Sequence, residues 1–387
     1  MRLLTSKPAK ATRLLALTVA GVLSASALTA CGGGDGGGET AAENKIAVGE
    51  VPTYYPADYK DLIADAEKEG GDLTIYSNTS EENWAPIFRD FKKKYTWVKK
   101  LSANDLDSDE VFQKVLSEQS TGSSPVDMVV SNAAQGWAGF AARDNVMASY
   151  KSPELAKLPK FATLLPSVYA MSMDPQLIAY NTSLMETAPK GISDLAAMVE
   201  ADPKKFDEKI TVRDPESSFG YSVTNAFTEA NEQAWTDFET LLPATRPETS
   251  SGTQMEKILS GEYLAGFFIS GGPAFPVVED SDGLVDVVYP EDGTVMLPRG
   301  IGIAADAPHP ATSKLFLDFV LSAEGQQAVA EGGLSSYRTG ISGKGLHTYQ
   351  EAVKAVGQDN VVPVSYEEQP KAQVDAWLKR FYALVEK

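Results

Sequence analysis

One cysteine and two histidines in 387 residues leave this chain poor in the side chains that most often carry nucleophilic and metal chemistry. A single thiol allows no disulfide within the chain, so the ordered part must be held together by its core. His309 lies in Ala307-Pro308-His309-Pro310, a turn context unsuited to a precisely held general base, and a serine triad needs a positioned histidine. The chain has no Gly-x-Ser-x-Gly elbow, no Gly-x-x-x-x-Gly-Lys-Ser/Thr phosphate loop and no His-Glu-x-x-His zinc motif. The nitrogen and sulfur ligands of an ordinary zinc site are missing too, and no metal or other cofactor is expected. Carboxylates are plentiful, so a secreted two-carboxylate hydrolase stays open. Positive charge is scarce, with 34 basic against 53 acidic residues and a net charge of −19. That balance makes nucleic acid a poor partner and implies a soluble, self-repelling surface. Beyond the N-terminal segment no apolar run approaches the roughly 20 residues that span a bilayer.

What is present begins with an address. Arg2, Lys7, Lys10 and Arg13 form a basic region, Leu14 to Ala27 an apolar one, and small residues lead to Leu28-Thr29-Ala30-Cys31, which is secretory signal grammar. The four-residue tail resembles the bacterial lipobox, in which cleavage precedes the cysteine and the new N-terminus carries lipid such as palmitate. Residues 1–30 are therefore expected to be a signal peptide and Cys31 the lipidation site. The protein would then sit outside the cytoplasm, anchored to the outer face of the cell membrane or within a periplasm. An ordinary secreted protein with a chance cysteine is the competing reading. Without residues 1–31 the chain carries 30 basic and 53 acidic residues, a net charge of −23. Gly32 to Gly38 and the polar stretch after it have linker composition, and residues 31–54 are read as a tether.

The remainder exceeds the ~250–300 residues at which single cores stop growing, so two domains are expected. Tyr59, Leu62, Ile63 and Ala66 fall at helical spacing and stop at Gly70-Gly71. A short strand follows at Leu73 to Tyr76, then an amphipathic helix with Trp84, Ile87, Phe88 and Phe91, opened by a capping box of Thr79 with Glu82. Helices and short apolar strands alternate to the end, the pattern of an α/β protein with mostly parallel sheets.

Five strand candidates hand over to small hydrogen-bonding residues. They run into Ser77-Asn78-Thr79, Ser131-Asn132, Asn181-Thr182, Arg213-Asp214-Pro215-Glu216-Ser217-Ser218, and Ser270-Gly271-Gly272. In open α/β sheets the ligand crevice lies beyond the carboxyl ends of the strands, so these turns predict a polar cleft. Two serine-rich stretches, Ser217-Ser218-Phe219-Gly220 and Thr249-Ser250-Ser251-Gly252, stand where helices should begin, and a helix start favours an anionic group. Plain N-capping accounts for the same residues.

With these pieces in place, the chain resembles the extracellular solute-binding proteins of bacterial ABC importers, in the branch that holds ferric-iron, phosphonate, thiamine, polyamine and sugar-phosphate binders. The resemblance covers about residues 55 to 345. It rests on Glu69 to Ser77, Ser124 to Val130, Tyr150-Lys151-Ser152-Pro153-Glu154, Ile178 to Thr182, Ile210 to Ser218, and Ala307 to Ala311 leading into Phe316 to Gln326, in that order. It implies a two-lobed periplasmic-binding-protein fold (type II), each lobe a mostly parallel sheet flanked by helices, with the solute held between lobes. Lobe one would comprise residues 55–172 and 300–387, lobe two 176–295, with crossings near Met173-Asp174-Pro175 and Leu297-Pro298-Arg299-Gly300. The terminal stretch with Val374, Trp377, Leu378, Phe381 and Leu384 reads as a helix packed on the body.

The resemblance implies a non-enzymatic receptor, acting as a monomer, that delivers a small solute to ABC permease subunits. The expected ligand residues are Ser77, Asn78, Thr79 and Asn132 from lobe one and Ser217, Ser218, Phe219, Ser251 and Ser270 from lobe two. Arg338, in Ser335-Ser336-Tyr337-Arg338-Thr339-Gly340, loosely matches a late loop near the family's cleft. Phe219 has a competing reading as core behind the helix start. The iron binders of the branch carry adjacent tyrosines where this chain has Phe267-Phe268, and phenylalanine has no phenolate for Fe(III). Iron would need a site of another kind. A small polar, anionic solute is the expectation, with a surface sensor on the same scaffold as a further alternative.

Overall fold

The computed structural model describes residues 51–122 and 124–387. Cys31, the signal segment and all but the last residues of the tether lie outside them. Among the described residues are eleven strands: β1 (Asp72–Ser77), β2 (Lys100–Asp105), β3 (Met128–Ser131), β4 (Thr163–Leu165), β5 (Val168–Asn181), β6 (Ile210–Arg213), β7 (Thr245–Glu248), β8 (Ala265–Ser270), β9 (Val285–Val288), β10 (Thr294–Ile303) and β11 (Val361–Pro363). The main path runs β2-β1-β3-β10-β5-β8-β6-β7.

Two three-strand runs, β2-β1-β3 and β8-β6-β7, are parallel, and β11 adds parallel to β10. All the antiparallel ladders involve β5 or β10. These two long strands pair with each other through Met173↔Pro298, Asp174↔Leu297 and Pro175↔Met296, the segments where the sequence suggested crossings. The first half of β5 lies against β10 and the second half against β8 and β9, while the far end of β10 lies against β3. The two strands thus link one strand group to the other. Every residue of both is buried, as expected of strands covered on both faces.

Helical spacing places the flanking layers. The helix Tyr59–Lys68 buries Tyr59 and Ala66, and Gly70 and Gly71 follow with positive φ, which turns the chain into β1. The helix Glu81–Lys94 buries Trp84, Ile87 and Phe91 against Phe316 and Phe319 of the helix Pro310–Leu321. Its N-cap is Ser80 rather than Thr79. The capping box gives way because the Thr79 hydroxyl accepts a hydrogen bond from Arg299, 220 residues away.

The terminal helix Lys371–Val385 buries Phe381 and Leu384, and its partners lie outside the segments expected to form lobe one with it. Trp377 lies 5.3 Å from the Tyr221 ring and 5.5 Å from Trp235, and its Nε1 donates to Thr228 Oγ1 at 3.0 Å. Phe381 meets Phe238 edge to face. The helix therefore packs on the helices Ser218–Ala230 and Ala234–Leu241. The aromatic faces of Trp235 and Phe238 offered its apolar stripe a partner that no local pattern could reveal.

Candidate functional site

Four of the five polar strand ends converge. Those of β1 and β3 neighbour each other in one group, and those of β6 and β8 in the other, because parallel strands share their carboxyl edge. The fifth does not join them. β5 runs antiparallel to β8, with Gln176 opposite Ser270 and Tyr180 opposite Ala265, so Asn181 sits at the remote edge and bonds Ile258 O and Ser183 N.

In the first group, Asn78 Nδ2 donates to Asn132 Oδ1 at 2.6 Å. Arg299 Nη1 reaches Asn78 Oδ1 at 2.8 Å and Thr79 Oγ1 at 3.1 Å, and Nη2 reaches Asp174 Oδ2 at 3.3 Å. Arg299 and Asp174 sit side by side on the two crossing strands and are buried, at 6% and 1% exposure. Asp174 also accepts from Ser172 Oγ and from the Ser335 N–H, each at 3.0 Å. Ser77 is spent locally: its hydroxyl accepts from the Thr79 N–H and from Trp84 Nε1.

From the second group, Ser270 faces Gln176 across the β5–β8 ladder, and its N–H donates to Ser251 Oγ at 3.2 Å. Ser251 opens the helix Ser251–Leu259, whose cap is Ser250 accepting from the Thr253 N–H. Gln254 follows one turn later on the same face. Here hydrogen bonding is incomplete among the described residues. Gln254 Nε2 and Oε1, Ser270 Oγ, Gln176 Oε1, Ser335 Oγ and Arg299 Nε are all buried without a partner. Native proteins satisfy the large majority of such atoms. Gln254, Ser270, Gln176, Asp174, Arg299 and Asn78 thus follow one another as a run of buried donors and acceptors, six of whose neighbouring atoms the protein leaves unpaired.

The β6 end behaves differently. Ser217 is a working N-cap, its hydroxyl accepting from the Gly220 N–H at 3.0 Å and donating to Asp214 O at 2.8 Å. Glycine is required at 220 because a Cβ there would meet Asp214 O at 2.0 Å. The Ser218 N–H donates to Asp109 Oδ2 at 3.2 Å. Phe219 is core, at 4% exposure, and carries the Arg213 guanidinium over its ring at 4.9 Å. Burial pulls the Arg213 guanidinium below its ordinary value, opposed by the charges of Asp107, Asp214 and Asp109. Tyr382 of the terminal helix donates to Asp214 Oδ1, holding this turn from behind.

Arg338 is not brought to the cluster. Its Nη1 pairs with Glu154 Oε2 at 2.5 Å and donates to Leu321 O at 2.7 Å, and the same glutamate accepts from Tyr54 and Tyr55. The late loop contributes Ser335 instead, through its bond to Asp174. Both histidines are placed elsewhere, His309 on Asp127 and His347 stacked on Phe275. Phe267 and Phe268 are core at 0% and 1% exposure, and Phe268 adopts φ 54° where β8 bulges opposite β5. Among the described residues no three His, Cys, Asp or Glu side chains group to hold a metal ion.

Sequence reasoning missed Asp174, Gln176, Gln254, Arg299 and Asp109. Asp174 and Arg299 stood in the segments read as crossings, and a buried ion pair between crossings could have been suspected there. Nothing local distinguished Gln176, Gln254 or Asp109 from their neighbours.

Two strand groups joined by long crossing strands, with polar strand ends converging, define a two-lobed α/β binding-protein fold of the periplasmic type. Solved structures share it. A substrate-binding protein of an ABC transporter from Agrobacterium tumefaciens aligns with a TM-score of 0.73 at 19% identity, covering 82% of this chain and 96% of the other. AfuA from Actinobacillus pleuropneumoniae with fructose-6-phosphate bound gives 0.60 at 21%, covering 81% and 99%. Iron-bound HitA from Pseudomonas aeruginosa gives 0.62 at 17%, covering 81% and 99%. No curated protein matches the chain. Residues 86–354 match the family model described as bacterial extracellular solute-binding protein, and the chain belongs to that family.

Proposed function

We propose that the protein is the solute receptor of an ABC importer that captures a small polar, anionic solute between its lobes and delivers it to a membrane permease. The observation that carries this reading is the run of buried, unpartnered polar atoms on Gln176, Gln254, Ser270, Ser335 and Arg299, beside the strand-end residues Asn78, Thr79, Asn132 and Ser251. The anionic preference is supported by Arg213 and the Ser218 N–H, where a carboxylate already sits. Structures of similar fold hold a sugar phosphate in AfuA and iron in HitA. The core placement of Phe267 and Phe268 supports the first kind of cargo over the second.

In this reading one lobe comprises residues 55–172 and 300–356, and the other 176–295 with the terminal helix. Ligand contacts to both would favour a closed form, which a permease can recognise; a solute shifts that balance only by binding the closed state better. The receptor acts as a monomer, and lipid on Cys31 holds it at the membrane outside the cytoplasm.

Native mass spectrometry of the mature chain, purified without denaturation, tests the reading. The expected result is a retained small molecule of anionic class, or a melting shift with one member of a panel of phosphonates, sugar phosphates and carboxylates. Turnover of a panel member, abolished by one cleft Asp or Glu substitution, would overturn it in favour of a hydrolase.

A further inference from the structure

A groove of about 320 Å³ runs along one face of the helix Ser218–Ala230, a volume within the ~300–1,000 Å³ of small-molecule sites. Tyr221, Asn225 and Glu229 recur every four residues on that face. Ala226 lies beside them, and Val362 and Pro363 of β11 line the opposite wall. None of the residues that carry the unpaired atoms around Asp174 and Arg299 takes part. The opposite wall is fixed by the fold. The Val364 N–H donates to Met296 O at 3.0 Å and Tyr366 Oη to Pro298 O at 2.7 Å. Gln135 Nε2 donates to Glu367 O at 3.0 Å, and its Oε1 accepts from the Gln369 N–H at 2.9 Å.

Tyr221 supplies the observation that points to a ligand. It is 3% exposed, its ring meets Trp377 edge to face at 5.3 Å, and its hydroxyl is buried with no partner among the described residues. Native proteins leave few such groups unpaired. Burial, joined by the Glu229 charge, holds the phenol above its ordinary value, so the hydroxyl keeps its proton as a donor. Glu229 itself is exposed and is the one formally charged residue among the described residues of the lining. The two stand eight residues apart, about 12 Å along the helix axis. With about 3 Å taken by a hydrogen bond at each end, a molecule that serves both carries its two groups about 6 Å apart.

We propose that this groove is a binding site separate from the solute cleft, for a small elongated organic cation. Its ammonium pairs with Glu229, its aliphatic body lies on Ala226, Val362 and Pro363, and its far end presents an uncharged acceptor to the Tyr221 hydroxyl. An anion finds no cation in the lining, and a second ammonium at the far end leaves the phenolic proton unpaired. The buried hydroxyl contributes more to affinity than the exposed carboxylate, because an ion pair at the surface is screened by water.

Ligand-detected NMR titration of the mature chain tests the site with three probes. 5-Aminopentanamide carries an ammonium and a carboxamide at its two ends, pentylamine lacks the acceptor, and pentanamide lacks the charge. The amino amide should bind about five- to tenfold tighter than pentylamine and about threefold tighter than pentanamide. Tyr221→Phe should abolish the first advantage without loss of stability, since it removes only an unpaired group. Glu229→Gln should abolish the second, and Gln254→Leu should leave both intact. Equal binding of the three probes, or no binding of the amino amide, would overturn the assignment. So would amino amide affinity that neither Tyr221→Phe nor Glu229→Gln changes. Loss of its binding in Gln254→Leu would place the probe in the solute cleft instead. A fall in stability on Tyr221→Phe would give the hydroxyl a partner within the protein and remove the case for the site.

Discussion

Two buried polar clusters sit in this molecule, and they differ in how completely the protein satisfies them. Around Glu154, which is 0% exposed, one carboxylate oxygen accepts from Tyr54 and Tyr55 and the other from Arg338. Beside it, Asp318 Oδ2 accepts from Tyr59 and Tyr150, and only its Oδ1 is left without a partner among the described residues. Around Asp174 and Arg299 the ion pair is equally buried, yet its neighbours Gln176, Gln254, Ser270 and Ser335 keep polar atoms without partners. The first cluster fastens the start of the described chain to the body. The second is incomplete by itself, and a buried unsatisfied group costs about 1–3 kcal/mol, a cost that a ligand can remove. Six unpartnered atoms against one, more than polarity, separate the proposed binding wall from the structural joint.

That comparison can be broken in several ways. The largest effect is expected from Arg338→Met, which leaves Glu154 buried with its charge unpaired. Stability should fall by roughly 3–5 kcal/mol in chemical denaturation, with solute affinity unchanged. Next is Asp318, whose carboxyl burial pushes up to about 6 from 3.8. The folded state therefore holds the proton more tightly than the unfolded chain. Its contribution is greatest below the unfolded value and is lost as pH rises through about 6, a total of about 3 kcal/mol. Denaturation of Asp318→Asn across that window should show a shallower decline than wild type.

In the cleft the signs reverse. Gln254→Leu removes two buried unpartnered atoms, so stability should hold or rise by up to about 2 kcal/mol, while solute affinity falls about 10- to 100-fold; calorimetric titration checks the second. The smallest effect belongs to Ser217→Ala, which removes a helix cap and should cost about 1 kcal/mol, with affinity changed less than about threefold. A large affinity loss there would return Ser217 to the ligand set.

The α/β pattern, the helix positions and the polar strand ends were legible because each depends on local spacing. Leu73 to Tyr76, Trp84 to Phe91 and the hand-over at Ser270 all lie where the sequence placed them. The packing partners of the terminal helix were not legible, because Trp377 and Phe381 find them across more than a hundred residues. Serines illustrate the limit at the site. Ser77, Ser217 and Ser250 each accept from a backbone N–H two or three residues on, whereas Ser270 keeps its hydroxyl free and Ser251 accepts from Ser270. Which serine caps a helix and which is left to bond elsewhere depends on the register of the helix start, and one residue decides it. Arg338 shows the reverse: a basic residue in the expected loop, taken by a buried glutamate that no sequence distance foretold.

The central claim is that the incompletely bonded wall is where the solute is held. The melting shift produced by a bound solute, measured in parallel on wild type, Gln254→Leu and Arg338→Met, tests it most directly. A ligand at 100 times Kd stabilises by about 2.7 kcal/mol. The account predicts this shift in full for Arg338→Met, despite its lower starting temperature, and its loss in Gln254→Leu at the same concentration. A shift retained by Gln254→Leu and abolished in Arg338→Met would contradict the account and move the site to the Glu154 cluster.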